Sequence, residues 1–269
     1  MPDREAYFEA NRAMWDERVA IHVGSRFYDV AGFMAGRDTL RPFELAEVGD
    51  VAGKTLVHLQ CHFGQDTLSW ARHGARVSGL DFSEPAVETA RRLAAELGIE
   101  ADFVAANVYD AASAFAGRQF DIVYTGLGAL IWLPDITPWA ETVAALVKAG
   151  GHFYLSEFHP FADVMAEEKL EVAYPYFSAQ PQVWDEPGSY TDSDVVTTSN
   201  LNYEWVHPIS EVVTALITAG LQLEFLHEHD YTLFQRWPFL EKLSIDEYRL
   251  PKEMPSFPLM YSLRARKPE

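Results

Sequence analysis

The segment Val57-His58-Leu59-Gln60-Cys61-His62-Phe63-Gly64-Gln65-Asp66 passes from an apolar strand into a turn and then into a helix. Thr55 to Leu59 has the length and apolar character of a short buried strand. Gln65 to His73 then reads as a helix, and Gly74 stops it. A strand that feeds directly into a helix predicts the opening unit of a parallel sheet.

Working outward, the same alternation repeats to residue 157. Arg76 to Leu80 is a second strand. Ser83 is placed to cap the next helix, with Pro85 in its first turn and Val87, Ala90, Leu93, Ala94 and Leu97 on one face. Asp102 to Ala105, Phe120 to Thr125 and His152 to Glu157 give three more strands. A helix opening at Thr137-Pro138 lies before the last of them. Beyond it, residues 158–206 are rich in aromatics, proline and acids, and form an insertion covering the sheet edge. Pro208 to Ala219 is a helix, and Leu221 to Leu226 and Leu259 to Ala265 are the final strands. The expected fold is α/β: a doubly wound, Rossmann-like sheet of seven strands, mostly parallel, with an antiparallel final hairpin. Residues 1–45 are expected to form a helical N-terminal cap, and 46–269 the main domain.

Composition narrows the function classes. The 269 residues carry 21 Lys plus Arg against 40 Asp plus Glu, a formal net charge of −19. That balance disfavours a nucleic-acid partner, which draws on clustered Lys and Arg. With 48% hydrophobic residues, a substantial core is available. No apolar run is long enough for a membrane span and the charged N-terminus shows no secretory signal, so a cytoplasmic protein is expected. The lone cysteine, Cys61, excludes a disulfide framework and is expected as a small buried residue. No His-rich spacing or H-E-x-x-H pattern argues for a metal. The pair Glu167-Glu168 reads as a solvated helix face.

Ligands of such sheets bind beyond the C-terminal strand ends. A dinucleotide site would need G-x-G-x-x-G, but Gln60 and His62 put side chains where those glycines would stand, and no P-loop follows. A nucleotide bound here should therefore lack phosphates. Asp81, 17 residues after Gly64 and at the tip of the second strand, can accept both ribose hydroxyls. Phe82 can pack on an adenine face, Asn107 can bond its edge, and Val108 can wall the slot.

In these pieces the chain resembles the class I S-adenosylmethionine-dependent methyltransferases, in particular small-molecule enzymes of bacterial type. The matching segments are His58 to Gly64, Gly79 to Ser83, Ala106 to Tyr109, Phe120 to Thr125 and Gly150 to Phe153. The family's usual acidic-x-Gly-x-Gly-x-Gly appears with His58 at the acidic position, Gln60 and His62 at the first two glycines, and only Gly64 kept. Asn107 stands where an acid is usual. The resemblance implies S-adenosylmethionine as cofactor, with contacts from His58, Gln60, His62, Gly64, Asp81, Phe82, Asn107, Val108 and Thr125. A valine at Gly64 is expected to block the cofactor while leaving the sheet folded.

Methyl transfer from a sulfonium is an in-line displacement, so the protein mainly aligns the acceptor. A nearby base helps when the acceptor must lose a proton. Glu157, His159 and His207 are the candidates. Trp15, Tyr28, Trp132, Tyr203 and Trp205 can wall an aromatic acceptor pocket. Ten acids and a single Lys, Lys169, lie between 157 and 204. A chamber built from this stretch would repel anions. The expected acceptor is thus a neutral or cationic small molecule, methylated on N or O, and the protein a monomer or homodimer. Two alternatives stay open: an NAD(P)-type oxidoreductase on a related sheet, and a non-catalytic cofactor-binding homologue.

Overall fold

In the computed structural model, which describes residues 4–166, 169–244 and 247–269, three helices precede the first strand. They are α1 (Arg4–Gly24), α2 (Val30–Met34) and α3 (Pro42–Val48). β1 (Thr55–Leu59), α4 (Gln65–Arg72), β2 (Arg76–Asp81), α5 (Glu84–Leu97) and β3 (Ala101–Ala105) follow. Next come α6 (Ala111–Ala114), β4 (Phe120–Thr125), α7 (Ile136–Leu146) and β5 (Val147–Phe158). The chain continues with α8 (Pro160–Asp163), β6 (Gln182–Asp185), β7 (Leu201–Glu204), α9 (Ile209–Thr218) and β8 (Gln222–His229). β9 (Tyr231–Thr232), β10 (Glu241–Ser244), β11 (Glu247–Arg249) and β12 (Met260–Arg266) end it. The Glu167-Glu168 pair lies outside the described residues.

Seven strands form one sheet in the order β3-β2-β1-β4-β5-β12-β8. The first five are parallel, and β12 runs antiparallel to both β5 and β8. This is the mostly parallel seven-stranded sheet expected from the alternation. Local chemistry explains its boundaries. Ser83 Oγ accepts from Ala86 N at 3.3 Å to start α5, and Gly98 ends it in the left-handed region at φ 65°. β5 begins earlier than expected because Val147, directly after α7, is already extended. A register skip between its pairings with Phe120 and Ile122 then absorbs Gly150, at φ 75°.

Both sheet faces are buried. Val57, Leu59, Val123 and Leu155 pack under Trp139 of α7 and Leu216 of α9. On the other face Leu56, Val77, Ile122 and Tyr124 pack with Trp70 of α4. α3 adds Val48 and Leu45 to that core and is anchored there by carboxylates as well. Tyr124 donates to Glu44 at 2.6 Å, and Tyr154 to Glu47 at 2.7 Å.

The sequence did not announce the segment between β8 and β12. It folds into a small sheet of order β10-β11-β9. Its Trp237 and Leu240 share a core with Ala162 and Met165 of the insertion after β5. Trp237 Nε1 donates to Ala166 O at 2.9 Å, and Arg236 pairs with Asp163 at 2.6 Å. Two insertions, not one, therefore stand above the C-terminal strand ends.

Candidate active site

At the tip of β1 the chain makes two turns that L-residues rarely make. Gln60 has φ 57° and His62 φ 50°, both left-handed, and Gly64 follows at φ 80°. The backbone thus keeps glycine-like geometry at two positions where side chains stand. Strain of this kind persists where the surroundings hold it and clusters at functional sites. Gly64 is needed for a reason different from the expected one. A Cβ there would sit 2.9 Å from Ala90 Cβ and from the Phe103 ring, so a side chain would collide with the core. The expectation that a valine would leave the sheet folded is corrected accordingly.

Asp81, at the tip of β2, accepts from His62 N at 2.8 Å through Oδ2 and from Ser83 N at 3.0 Å through Oδ1. Each oxygen keeps a lone pair, which suits a vicinal diol. Burial pushes its carboxyl up to about 6. The backbone N–H groups of Ser83 and His62 oppose that rise, and the charge of Asp16 adds to it. Phe82 is half-buried beside it. Val108 is buried in the main core. Asn107 Oδ1 accepts from Tyr109 N at 3.2 Å, so this oxygen closes a local turn instead of reaching outward.

His58 lies opposite Gly79 and Tyr124 in the sheet, with Nδ1 2.9 Å from Thr67 Oγ1. Burial pushes it down to about 4, so it is neutral at pH 7. Gln60 Nε2 donates to Ala129 O at 2.8 Å, whereas Gln60 Oε1 and Thr125 Oγ1 are buried without a partner. Such polar atoms at the strand tips are available to a ligand's donors. Together with the free lone pairs of Asp81, they fit a nucleoside rich in hydrogen-bond donors. Cys61 is buried, and its thiol is pushed well up by that burial.

Three of the five expected aromatic walls converge. The Trp15 ring is 5.2 Å from His62 and 5.3 Å from Trp132, and Tyr28 is 5.5 Å from His62. Tyr203 and Trp205 form a neighbouring patch around Tyr7, at 4.6 and 5.3 Å. Sequence reasoning missed the residue that links them to the loop. His22, fully buried, brings Nδ1 to 2.9 Å from His62 Nε2 and Nε2 to 2.8 Å from Ser189 Oγ. Asn11, Trp15, Arg18 and His22 recur at helical spacing on α1, and three of these four are buried polar residues, the signal that was available.

None of the three expected bases is free. Glu157 accepts from Gly128 N and Phe158 N through Oε1, at 2.6 and 2.7 Å. Its Oε2 accepts from Ala129 N and Leu130 N, at 2.8 and 3.0 Å. All its lone pairs hold backbone, though burial still pushes it up to about 7. His159 Nδ1 accepts from Phe161 N at 3.1 Å, and its Nε2 meets Glu228 at 3.0 Å. His207 Nε2 donates to Leu133 O at 2.7 Å, and Nδ1 faces Glu211 at 3.2 Å. Glu157 and His207 do share the wall of a small cavity with Trp205 and Tyr261. Among the described residues no His, Cys, Asp or Glu group is arranged to hold a metal, and no helix is long and apolar enough to cross a membrane.

A model of the methyltransferase domain matches residues 57–151, the segment that builds β1 to β5 and the loops just described. The chain belongs to the class I S-adenosylmethionine-dependent methyltransferases. The ubiquinone biosynthesis O-methyltransferase of Vibrio parahaemolyticus is 32% identical over 160 residues, 56% of this chain and 67% of that protein. The Escherichia coli O127:H6 protein of the same name is 33% identical over 138 residues. That match covers 50% of this chain, which spans only 57% of that relative's length. Among solved structures, a Mesorhizobium loti S-adenosylmethionine dependent methyltransferase superposes with TM-score 0.53 at 23% identity, covering 87% of this chain and all of that one. The DhpI–SAH complex superposes with TM-score 0.59 at 14% identity over 99% of both chains. At these identities the structural likeness is one of fold.

Proposed function

We propose that this protein transfers a methyl group from S-adenosylmethionine to a nitrogen or oxygen of a neutral or cationic small molecule. The observation that carries the proposal is Asp81, buried at the tip of β2 with one lone pair left on each oxygen, beside a β1 loop held in glycine-like turns. Asp81 would hold the ribose, Phe82 and Val108 the adenine, and Gln60 and Thr125 the remaining donors. The cofactor supplies an activated methyl on sulfonium. The chain's own work is to orient the acceptor and exclude water. Commitment of Glu157, His159 and His207 to protein partners favours catalysis by alignment, with these three as supports of the pocket wall. The relatives' O-methyltransferase name supports oxygen as the target, but the matched region is the cofactor half.

The acid-rich insertion favours an uncharged or cationic acceptor. Thermal-shift titration with S-adenosylhomocysteine and NAD side by side tests the cofactor, and stabilisation by NAD alone would favour an oxidoreductase. Product formation with any acceptor separates an enzyme from a binding homologue. If phosphorylated or polycarboxylate acceptors outcompete neutral ones, the charge assignment is wrong.

A further inference from the structure

Transfer to an amine or a hydroxyl leaves the acceptor atom with a proton to lose, and the three bases expected for that task are bound to protein atoms. A different line of groups leads away from the β1 loop. His62 N donates to Asp81 at 2.8 Å, which places the residue beside the expected ribose holder. Its ring lies 5.2 Å from Trp15 and 5.5 Å from Tyr28. Its Nε2 is 2.9 Å from His22 Nδ1, and His22 Nε2 is 2.8 Å from Ser189 Oγ. Ser189 Oγ is in turn 3.2 Å from Thr191 Oγ1. Thr191 is half-buried between the exposed Tyr190 and Asp192. Side chains of the β1 loop, α1 and the insertion thus form one hydrogen-bonded line from the crevice to the surface.

The inner end of this line is open. Among the described residues nothing hydrogen-bonds to His62 Nδ1, and the residue is only half-buried. Its backbone is left-handed, at φ 50°, where glycine is unstrained and histidine is not. A side chain at this position therefore costs stability, and a glycine would keep the N–H to Asp81. Burial pushes His22 down to about 4, with the Arg18 charge adding to it, and pushes His62 well down, with His22 adding to it. Each ring is neutral at pH 7, so it has one nitrogen that donates and one that accepts. With His62 Nε2–H donating to His22 Nδ1, and His22 Nε2–H to Ser189 Oγ, the lone pair on His62 Nδ1 stays free.

We propose that His62 is the general base of the transfer, and that His22, Ser189 and Thr191 carry its proton to the surface. This deepens, and rests on, the small-molecule methyltransferase reading above. As the acceptor nitrogen or oxygen bonds the methyl carbon, the carbon–sulfur bond breaks and its electron pair goes to sulfur. The acceptor's proton passes to His62 Nδ1. The proton on His62 Nε2 moves to His22 Nδ1, the one on His22 Nε2 to Ser189 Oγ, and the serine proton leaves through Thr191 to water. No ring has to keep a positive charge in buried surroundings, so rings of low proton affinity can serve. Once product leaves, water in the crevice takes the proton from His62 Nδ1 and the line refills from the surface end.

The test has a spectroscopic and a kinetic arm. Long-range proton–nitrogen correlation spectra of the 15N-labelled protein with S-adenosylhomocysteine, at neutral pH, read the tautomers directly. His62 and His22 should each be protonated at Nε2 and bare at Nδ1, and Ser189→Ala should leave His22 as a mixture of tautomers. For kinetics, catechol and benzylamine serve as a probe phenol and a probe amine. His62→Gly suits the local backbone, so it should fold and keep its affinity for S-adenosylhomocysteine. Its kcat should fall roughly a hundredfold or more, and imidazole in solution should restore part of the loss. Ser189→Ala should lower kcat with KM for the probe unchanged. A His62 protonated at Nδ1, or a His62→Gly enzyme as fast as wild type, overturns the relay and leaves the cofactor assignment standing. A wild type that does not bind S-adenosylhomocysteine overturns that assignment itself.

Discussion

At the residue scale, Asp81 concentrates the chemistry. Its carboxylate has to be ionised to accept two hydroxyl donors, and burial pushes it up to about 6 in the ligand-free protein. Cofactor affinity should therefore be level above that pH and fall about tenfold per pH unit below it. Titrations of wild type and Asp81→Asn across pH check this: the variant should show no such fall, and a flat wild-type profile down to pH 5 would contradict the ribose assignment. Asp81→Ala removes two charge-assisted bonds worth about 1.5–3 kcal/mol each, so its Kd should rise by roughly a hundredfold or more. Gly64 is a packing position instead. Gly64→Ala adds a Cβ 2.9 Å from Ala90 and Phe103 at φ 80°, which should cost about 2–4 kcal/mol in urea denaturation. A variant as stable as wild type, yet blind to cofactor, would restore the original expectation for this glycine.

Elements act through one another above the sheet. Glu157, at the end of β5, receives four backbone N–H groups, three of them from the loop Gly128–Leu130. Ala129 O in turn receives Gln60 Nε2 from the β1 tip. The glutamate is thus a strut that ties the β4 and β5 ends to the cofactor loop. Glu157→Ala leaves several amides unpaired and should cost about 3 kcal/mol or more, with cofactor affinity falling alongside it. Denaturation and titration of the same variant test both effects. Were Glu157 a base and nothing more, stability would be unchanged.

α1 and the insertion after β5 form the second such unit. Glu17 accepts from Thr198 N and Ser199 N, and Asn11 exchanges two bonds with the Tyr203 backbone at 2.9 and 2.8 Å. Glu17→Ala should speed amide exchange and proteolysis in residues 186–206. The backbone N–H of Ser199 holds the Glu17 carboxyl below its usual value, against the opposing effect of burial. The staple is therefore present at neutral pH and lost as pH falls through that lowered value.

For the whole molecule, net charge sets a background. At −19, repulsion among surface carboxylates opposes compaction, and salt screens it. Raising salt from low to physiological strength should therefore raise the Tm by a few degrees, and the same screening should weaken the exclusion of anionic acceptors. Two insertions, 158–206 and the segment between β8 and β12, meet at Trp237 and Arg236. The space over the strand tips is thus closed by parts remote in sequence.

The alternation of strand and helix, the cap at Ser83 and the aspartate ending β2 were all legible in the sequence. Each depends on periods and turns within a few residues, where local sterics and hydrogen bonding decide. Asn107, Glu157, His159 and His207 carried residue types that fit a site, but type does not reveal which partners a buried group finds. The seat of His22 against His62 and the pairing of α1 with the insertion required tertiary structure. Their partners lie 40 to 192 residues away, and only chain folding brings such atoms within reach of one another.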